Sequence, residues 1–89
     1  MKRVRIIIKG KVQGVLFRKF VKDNADKLSI RGYVENKEDY VEAVFEGEDM
    51  AVDRMVDLCR KGPDGAEVEN VELFREGVKK EDSFYIKRA

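Results

Sequence analysis

The sequence predicts an α+β domain: a mostly antiparallel sheet with two helices on one face, in the order βαββαβ, and a short extra strand at the C-terminal end. Three observations predict it. Hydrophobic positions switch twice from a period of two to a spacing of three and four, each time in the order strand then helix. The two strand-like stretches between the helical ones are separated by a few polar residues only, which is hairpin spacing. At 89 residues the chain has material for one hydrophobic core and not for a second.

Each element follows from its residues. Val4, Ile6 and Ile8 alternate with Arg3, Arg5 and Lys9, with Ile7 as the exception, so the first strand runs to Gly10. Gly10-Lys11-Val12-Gln13-Gly14 is a glycine-bracketed loop. From Phe17 the apolar positions are Phe17, Phe20, Val21, Ala25 and Leu28, which form one helical stripe. No Ser, Thr or Asp stands at its start, so its first amides are uncapped and available to an anion. Ile30 to Asn36 and Val41 to Gly47 read as two strands joined through Lys37-Glu38-Asp39-Tyr40, with Val41, Ala43 and Phe45 on one face. A second helix is expected from Asp49 to Lys61, because acidic Glu48 and Asp49 suit its start, Arg60 and Lys61 its end, and Gly62-Pro63 stops it. Its buried stripe is Val52, Met55, Val56 and Cys59. Val68 is out of phase with Val71 and Leu73, which predicts a bulge around Asn70, and Phe84 and Ile86 supply the last short strand. The order is that of a ferredoxin-like sandwich, and residues 1–89 read as a single domain without linker or low-complexity tract.

Composition excludes much chemistry. The chain carries 19 Lys plus Arg against 18 Asp plus Glu, a net charge of +1, and no histidine. Imidazole is therefore excluded as base, nucleophile or ligand. One cysteine, Cys59, leaves no disulfide framework and no clustered thiolate metal site, so no metal and no cofactor are expected. No apolar run approaches the ~18 residues of a membrane span, and Ile6 to Ile8 is too short for the core of a signal peptide. The expectation is a soluble, cytoplasmic, monomeric protein that binds neither membrane nor nucleic acid.

The chemistry concentrates in Gly10-Lys11-Val12-Gln13-Gly14-Val15-Leu16-Phe17-Arg18, between strand and helix. Two glycines four apart let successive N–H groups converge, the helix start adds partial positive charge, and Arg18 supplies a planar fork of donors. Several oxygens of a tetrahedral dianion fit such a cradle better than a planar carboxylate does. A nucleoside triphosphate loop is excluded, because the Gly-Lys-Ser or Gly-Lys-Thr ending is missing and the chain contains no threonine.

Gly10 to Arg18 resembles the signature loop of the acylphosphatases, and Gly32-Tyr33-Val34-Glu35-Asn36 resembles that family's second signature. Val41 to Gly47, Gly62-Pro63, Ala66, Val68 and Phe84-Tyr85-Ile86 extend the likeness over nearly the whole chain. The resemblance implies a metal-free hydrolase that splits small acyl phosphates into carboxylate and orthophosphate. It implies phosphate binding by Arg18 and water positioning by Asn36. The phosphate-binding set is then Gln13, Gly14, Val15, Leu16, Phe17 and Arg18, with phosphate or sulfate as product-like ligands.

The residue inventory agrees with those roles. An acyl phosphate has a good leaving group, so holding the phosphoryl group and neutralising its oxygens suffices. The Asn36 carbonyl can orient a water but its amide cannot take a proton, and Arg18 never deprotonates at usable pH, so the proton is expected on a substrate phosphate oxygen. Two departures from the family pattern stand out. Glu35 precedes Asn36, where strand alternation should turn it to the opposite face and leave it in water. The turn after Asn36 lacks the usual glycine and is one residue shorter, so either Asp39 takes the awkward backbone angles or the hairpin uses a four-residue loop.

Duller roles and rival functions remain open at this point. Gln13 can merely cap the loop, and Lys11 is a solvated charge. Phe17, Phe20 and Phe45 read as core, Tyr33 as a half-buried sheet residue, and Cys59 as inert. The same topology serves RNA recognition, and Arg31-Gly32-Tyr33 resembles the start of one of its motifs. Val34 and Glu35 break that motif, and Glu42, Glu46, Glu67 and Glu69 would repel a phosphate backbone. A ligand-binding domain without turnover is the third reading.

Overall fold

The computed structural model describes residues 1–88. It contains β1 (Lys2–Lys11), α1 (Phe17–Lys27), β2 (Arg31–Asn36), β3 (Tyr40–Gly47), α2 (Asp49–Lys61), β4 (Glu67–Glu76) and β5 (Phe84–Ile86). The sheet order is β4-β1-β3-β2-β5. Every neighbouring pair is antiparallel except β2 and β5, which run parallel. Because β3 is antiparallel to both β1 and β2, the strands β1, β2 and β5 all point the same way and end at the same edge of the molecule. Among the described residues no helix is long and apolar enough to cross a membrane.

The expected periodicities decide which face meets the helices. Val4, Ile6 and Ile8 of β1 lie opposite Phe45, Ala43 and Val41 of β3, and all six are buried. Val34 of β2 and Phe84 of β5 extend this layer, and Phe17, Val21 and Ala25 of α1 pack on it with Val52, Met55, Val56 and Cys59 of α2. Each large apolar side chain so enclosed contributes about 1.5–3 kcal/mol relative to exposure. Phe20 is only half-buried against the same core. The predicted bulge falls at Glu69: Lys9 pairs with Asn70 while Gly10 pairs with Val68, and β1 continues one residue past Gly10.

The hairpin after Asn36 takes the second of the two expected forms. Asn36 pairs with Val41, residues 37–40 bridge them, and the Lys37 N–H donates to the Tyr40 carbonyl at 2.9 Å. Asp39 is not among the residues with positive φ.

The open face of the sheet departs from simple alternation. Arg3 lies on that face yet is 3% exposed, and Glu46 opposite it is 0% exposed. The Arg3 guanidinium reaches Glu81 at 2.8 Å, Glu76 at 3.0 Å and Glu46 at 3.4 Å. Glu46 also accepts the backbone N–H groups of Lys79 at 2.7 Å and Glu81 at 2.8 Å. The segment between β4 and β5 is thereby strapped over one end of the face. Burial penalises the Glu46 charge, but the two amides and Arg3 outweigh it and hold this carboxyl below its ordinary pKa. Glu35 requires a correction: it does turn away from Asn36, but it does not stay in water. Its side chain is 7% exposed and is held by Lys37 at 2.9 Å, with Lys87 at 3.9 Å. A carboxylate removed from water on a crowded sheet face needs cations beside it, and the turn and the residue that follows β5 provide them.

Candidate active site

The loop that leaves β1 is shaped by backbone angles rather than by side-chain caps. Gly10 has φ +129°, and a Cβ there would sit 2.1 Å from the Glu67 carbonyl oxygen, so only glycine lets β1 pass the bulge of β4. Gly14 and Leu16 have φ +74° and +59°, while Val15 between them does not have positive φ. Alternation of this kind turns successive N–H groups toward one concave side and makes a nest for an anion. Leu16 is the residue that opens α1, and no side chain caps that end, as its sequence predicts. No loop hydrogen bond among the described residues engages the N–H of Gly14, Val15 or Leu16 with a backbone acceptor. The nest and the positive end of the α1 dipole therefore face the same cleft.

That cleft has a volume of about 270 Å³. Gly14, Leu16, Phe17 and Arg18 form its loop and helix side, and Asn36 reaches it from the end of β2. The Asn36 carbonyl oxygen is buried and, among the described residues, accepts no hydrogen bond. A buried acceptor without a donor costs about 1–3 kcal/mol, a cost relieved when a donor such as water occupies the cleft. Cations dominate the charge at this site: Arg18, Lys19 and Arg88 line it, and among the described residues no carboxylate does. Lys19 shares its charge with Asp23 at 2.8 Å on the same helix.

Of the residues expected to bind phosphate, the cleft brings together Gly14, Leu16, Phe17 and Arg18 with Asn36. Val15 is not part of the lining; its side chain packs against the core. Gln13 is also outside the lining, and its side chain is engaged elsewhere. Its Nε2 donates to the carbonyls of Lys37 at 2.8 Å and Tyr40 at 2.9 Å, tying the loop to the hairpin that carries Asn36. The sequence offers it as a phosphate ligand or a loop cap; the carbonyls it holds belong to the opposing turn. Arg88 was missed altogether, although the alternation Phe84, Ile86, Arg88 places it on the core face of an extended last strand. Cys59 is buried among apolar neighbours, and burial pushes its thiol up, away from reactivity.

The family model for Acylphosphatase matches residues 4–86. A curated acylphosphatase of Rubrobacter xylanophilus is 50% identical over 76 residues, covering 84% of this chain and 69% of that protein. One from Chloroflexus aurantiacus is 43% identical over 86 residues, covering 94% of each chain. The crystal structure of acylphosphatase from Bacillus subtilis matches with a TM-score of 0.95 and 32% identity, covering 99% of this chain and 100% of that one.

Proposed function

The chain belongs to the acylphosphatase family and is a hydrolase that splits acyl phosphates into carboxylate and orthophosphate; we propose that it does so by anion capture and water orientation, without a metal or a protein base. The amides of Gly14, Leu16 and Phe17 and the α1 dipole receive the phosphoryl oxygens, and Arg18 binds two of them through its guanidinium fork. Charge spreads over those oxygens in the transition state, so donors fixed in advance around them lower the barrier directly. Asn36 accepts a hydrogen bond from water through its carbonyl and aims it at phosphorus, in line with the departing acyl oxygen. The phosphorus–oxygen bond to the acyl group breaks, the carboxylate leaves with that electron pair, and the water proton passes to a phosphate oxygen.

One observation carries this reading: among the described residues an amide nest, an arginine and an asparagine carbonyl lacking a donor share one cleft that no carboxylate lines. The test is hydrolysis of benzoyl phosphate beside a phosphate monoester. Arg18→Ala is expected to lose turnover together with inhibition by inorganic phosphate. Asn36→Ala should lose about 100-fold in kcat while its phosphate inhibition constant stays within about threefold. Full activity in either variant, or equal cleavage of the monoester by the wild type, refutes the roles assigned.

Residues 1–89 act in this proposal as one monomeric domain. The support is a single hydrophobic core to which all five strands and both helices contribute. A buried thiol suits a reducing, cytoplasmic setting. Gel filtration at the expected mass of 10.3 kDa tests the monomer.

A further inference from the structure

Water and the acyl group stand on opposite sides of phosphorus in an in-line displacement, so the groups around Asn36 meet only the water and the peripheral phosphoryl oxygens. One of those groups is Arg88, which lines the cleft together with Asn36. Arg88 arrives there through register. Gly32 pairs with Phe84, Tyr33 with Tyr85 and Val34 with Ile86, and the Lys87 N–H donates to the Val34 carbonyl at 2.8 Å. Two further residues along this parallel ladder set Arg88 beside Asn36. Phe84 and Ile86 face the helices, and with a period of two Arg88 turns to that side as well. The helix on that side is α1, which packs on both β2 and β5. Arg18 on its first turn and Arg88 after β5 therefore enter one space, the first from the helix layer and the second from the sheet layer.

We propose that Arg88 is a second cationic ligand of the transferring phosphoryl group, set on the side from which water attacks. The inference rests on the acyl phosphate reading given above and adds a residue to that same site. Charge decides between the two things that Arg88 can meet. The water is neutral and needs only the Asn36 carbonyl, whereas the phosphoryl oxygens carry up to about two negative charges. Arg18 offsets one of these and the α1 terminus about half of another, so about half a charge stays unmatched. Lys19 does not supply it, because its charge is shared with Asp23 at 2.8 Å. Among the described residues Arg88 is the remaining cation that lines the cleft. It is exposed, so water weakens its hold, and the oxygens it serves are charged before the reaction as well as during it. Its contribution therefore appears mainly in affinity.

The experiment measures hydrolysis of benzoyl phosphate and of acetyl phosphate, and binding of orthophosphate by NMR titration of the backbone amides, in wild type, Arg88→Ala, Arg88→Lys and Arg88→Glu. In Arg88→Ala, kcat/KM should fall about fivefold on both substrates alike, mainly through KM, and the orthophosphate Kd should rise by a similar factor. Losses should follow the charge at this position, least for Arg88→Lys and greatest for Arg88→Glu, and about 0.5 M salt should narrow them. The rise in Kd should be larger at about pH 8, where orthophosphate is mostly a dianion, than at about pH 5.5, where it is a monoanion. The chain has no histidine to titrate across that range, so a merely structural role would not produce this difference. The amide spectrum also reports that each variant is folded. Loss on one substrate only would place Arg88 on the acyl group, and a fall in kcat/KM with an unchanged Kd would place it on the water. Either result overturns the proposal, as do variants indistinguishable from wild type. A wild type that cleaves neither substrate removes the acyl phosphate reading, while the orthophosphate Kd, which needs no turnover, still tests Arg88.

Discussion

Replacing Gln13 with Ala separates two roles that the loop sequence alone leaves merged. The Gln13 side chain does not line the cleft; it donates to two carbonyls of the turn that follows Asn36, at 2.8 and 2.9 Å. Each neutral hydrogen bond contributes about 0.5–1.5 kcal/mol, and the one to Lys37 is exposed enough for water to replace it. The loss in stability should be about 1–2 kcal/mol, and a domain of this size shifts by about 4–8 °C in Tm per kcal/mol. The larger effect should be kinetic. With the tie cut, the turn and the end of β2 move independently of the nest, and misaiming an attacking water by about 1 Å costs on the order of 100-fold. Since the nest is backbone, held by Gly10 and the start of α1, phosphate affinity should change less than threefold. Steady-state hydrolysis of benzoyl phosphate, competitive inhibition by phosphate and thermal melting read the three quantities separately. A rise in the phosphate inhibition constant larger than the fall in kcat would mean that the Gln13 side chain touches phosphate. A fall in Tm with kcat intact would mean that the tie only stabilises. Either result refutes its part in positioning Asn36.

Two further outcomes follow from the same structure. The folded-state pKa of Glu46 and of Glu76 lies below the ordinary carboxylate value, so their stabilisation is complete above about pH 4.5 and drains away as pH falls through the depressed values. Glu46→Gln should cost about 2 kcal/mol at pH 7, by weakening charged hydrogen bonds to Arg3 and two amides, and urea melts should show a shallower loss between pH 4.5 and 3 than in wild type; an unchanged slope would deny Glu46 its share. Gly10→Ala should cost about 3 kcal/mol or more, because its Cβ meets the backbone of β4, whereas Gly14→Ala meets open space and should cost only the ~1–2 kcal/mol of a left-handed angle; equal costs in chemical denaturation would contradict the close approach at Gly10.

Local pattern carried most of the fold. The second helix, Asp49–Lys61, and its stripe of Val52, Met55, Val56 and Cys59 stand as expected, since capping charge, a Gly-Pro stop and a helical spacing all agree there. The bulge was legible because an extra residue puts Val68 out of phase with Val71 and Leu73, and it falls one residue from Asn70, at Glu69. That Arg18 and Asn36 would line one cleft was legible because each lies where a strand gives way to a loop at the same edge, Arg18 after β1 and Asn36 at the end of β2. Arg3, Glu46 and Glu35 were not. Alternation assigns a residue to a face, but whether that face is wet depends on what folds over it. The segment between β4 and β5 that covers Arg3 and Glu46 is bound by contacts between residues more than 30 positions apart. The tie made by Gln13 was not legible for the same reason: its own loop predicts a phosphate ligand or a cap, and only the tertiary approach of the hairpin turns that side chain into a tie.

The direction of β5 explains why Arg88 escaped notice and why it matters. The strands β1, β2 and β5 run the same way, so their ends deliver three different groups to one edge: the nest and α1 from β1, Asn36 from β2, and Arg88 from β5. An antiparallel β5 would bury the same Phe84 and Ile86 yet send the following residues toward the Gly32 end of β2, away from the nest. Nothing in three residues of extended chain distinguishes the two pairings. What distinguishes them is the strap: Glu46 and Arg3 fix Lys79 and Glu81 beside the start of β2, and the Gly32 N–H then donates to the Ser83 carbonyl at 2.9 Å, so the chain enters β5 at that end and has to run parallel to β2. The buried ion cluster at one end of the sheet thus sets which residue stands at the mouth of the cleft at the other. Glu46→Gln, chosen above for stability, should on this argument also loosen the β2–β5 ladder, so that the Lys87 N–H, which donates to the Val34 carbonyl, exchanges faster with solvent in hydrogen-exchange measurements. If it lowers Tm but leaves that exchange unchanged, the direction of β5 is held by Phe84 and Ile86 and not by the strap.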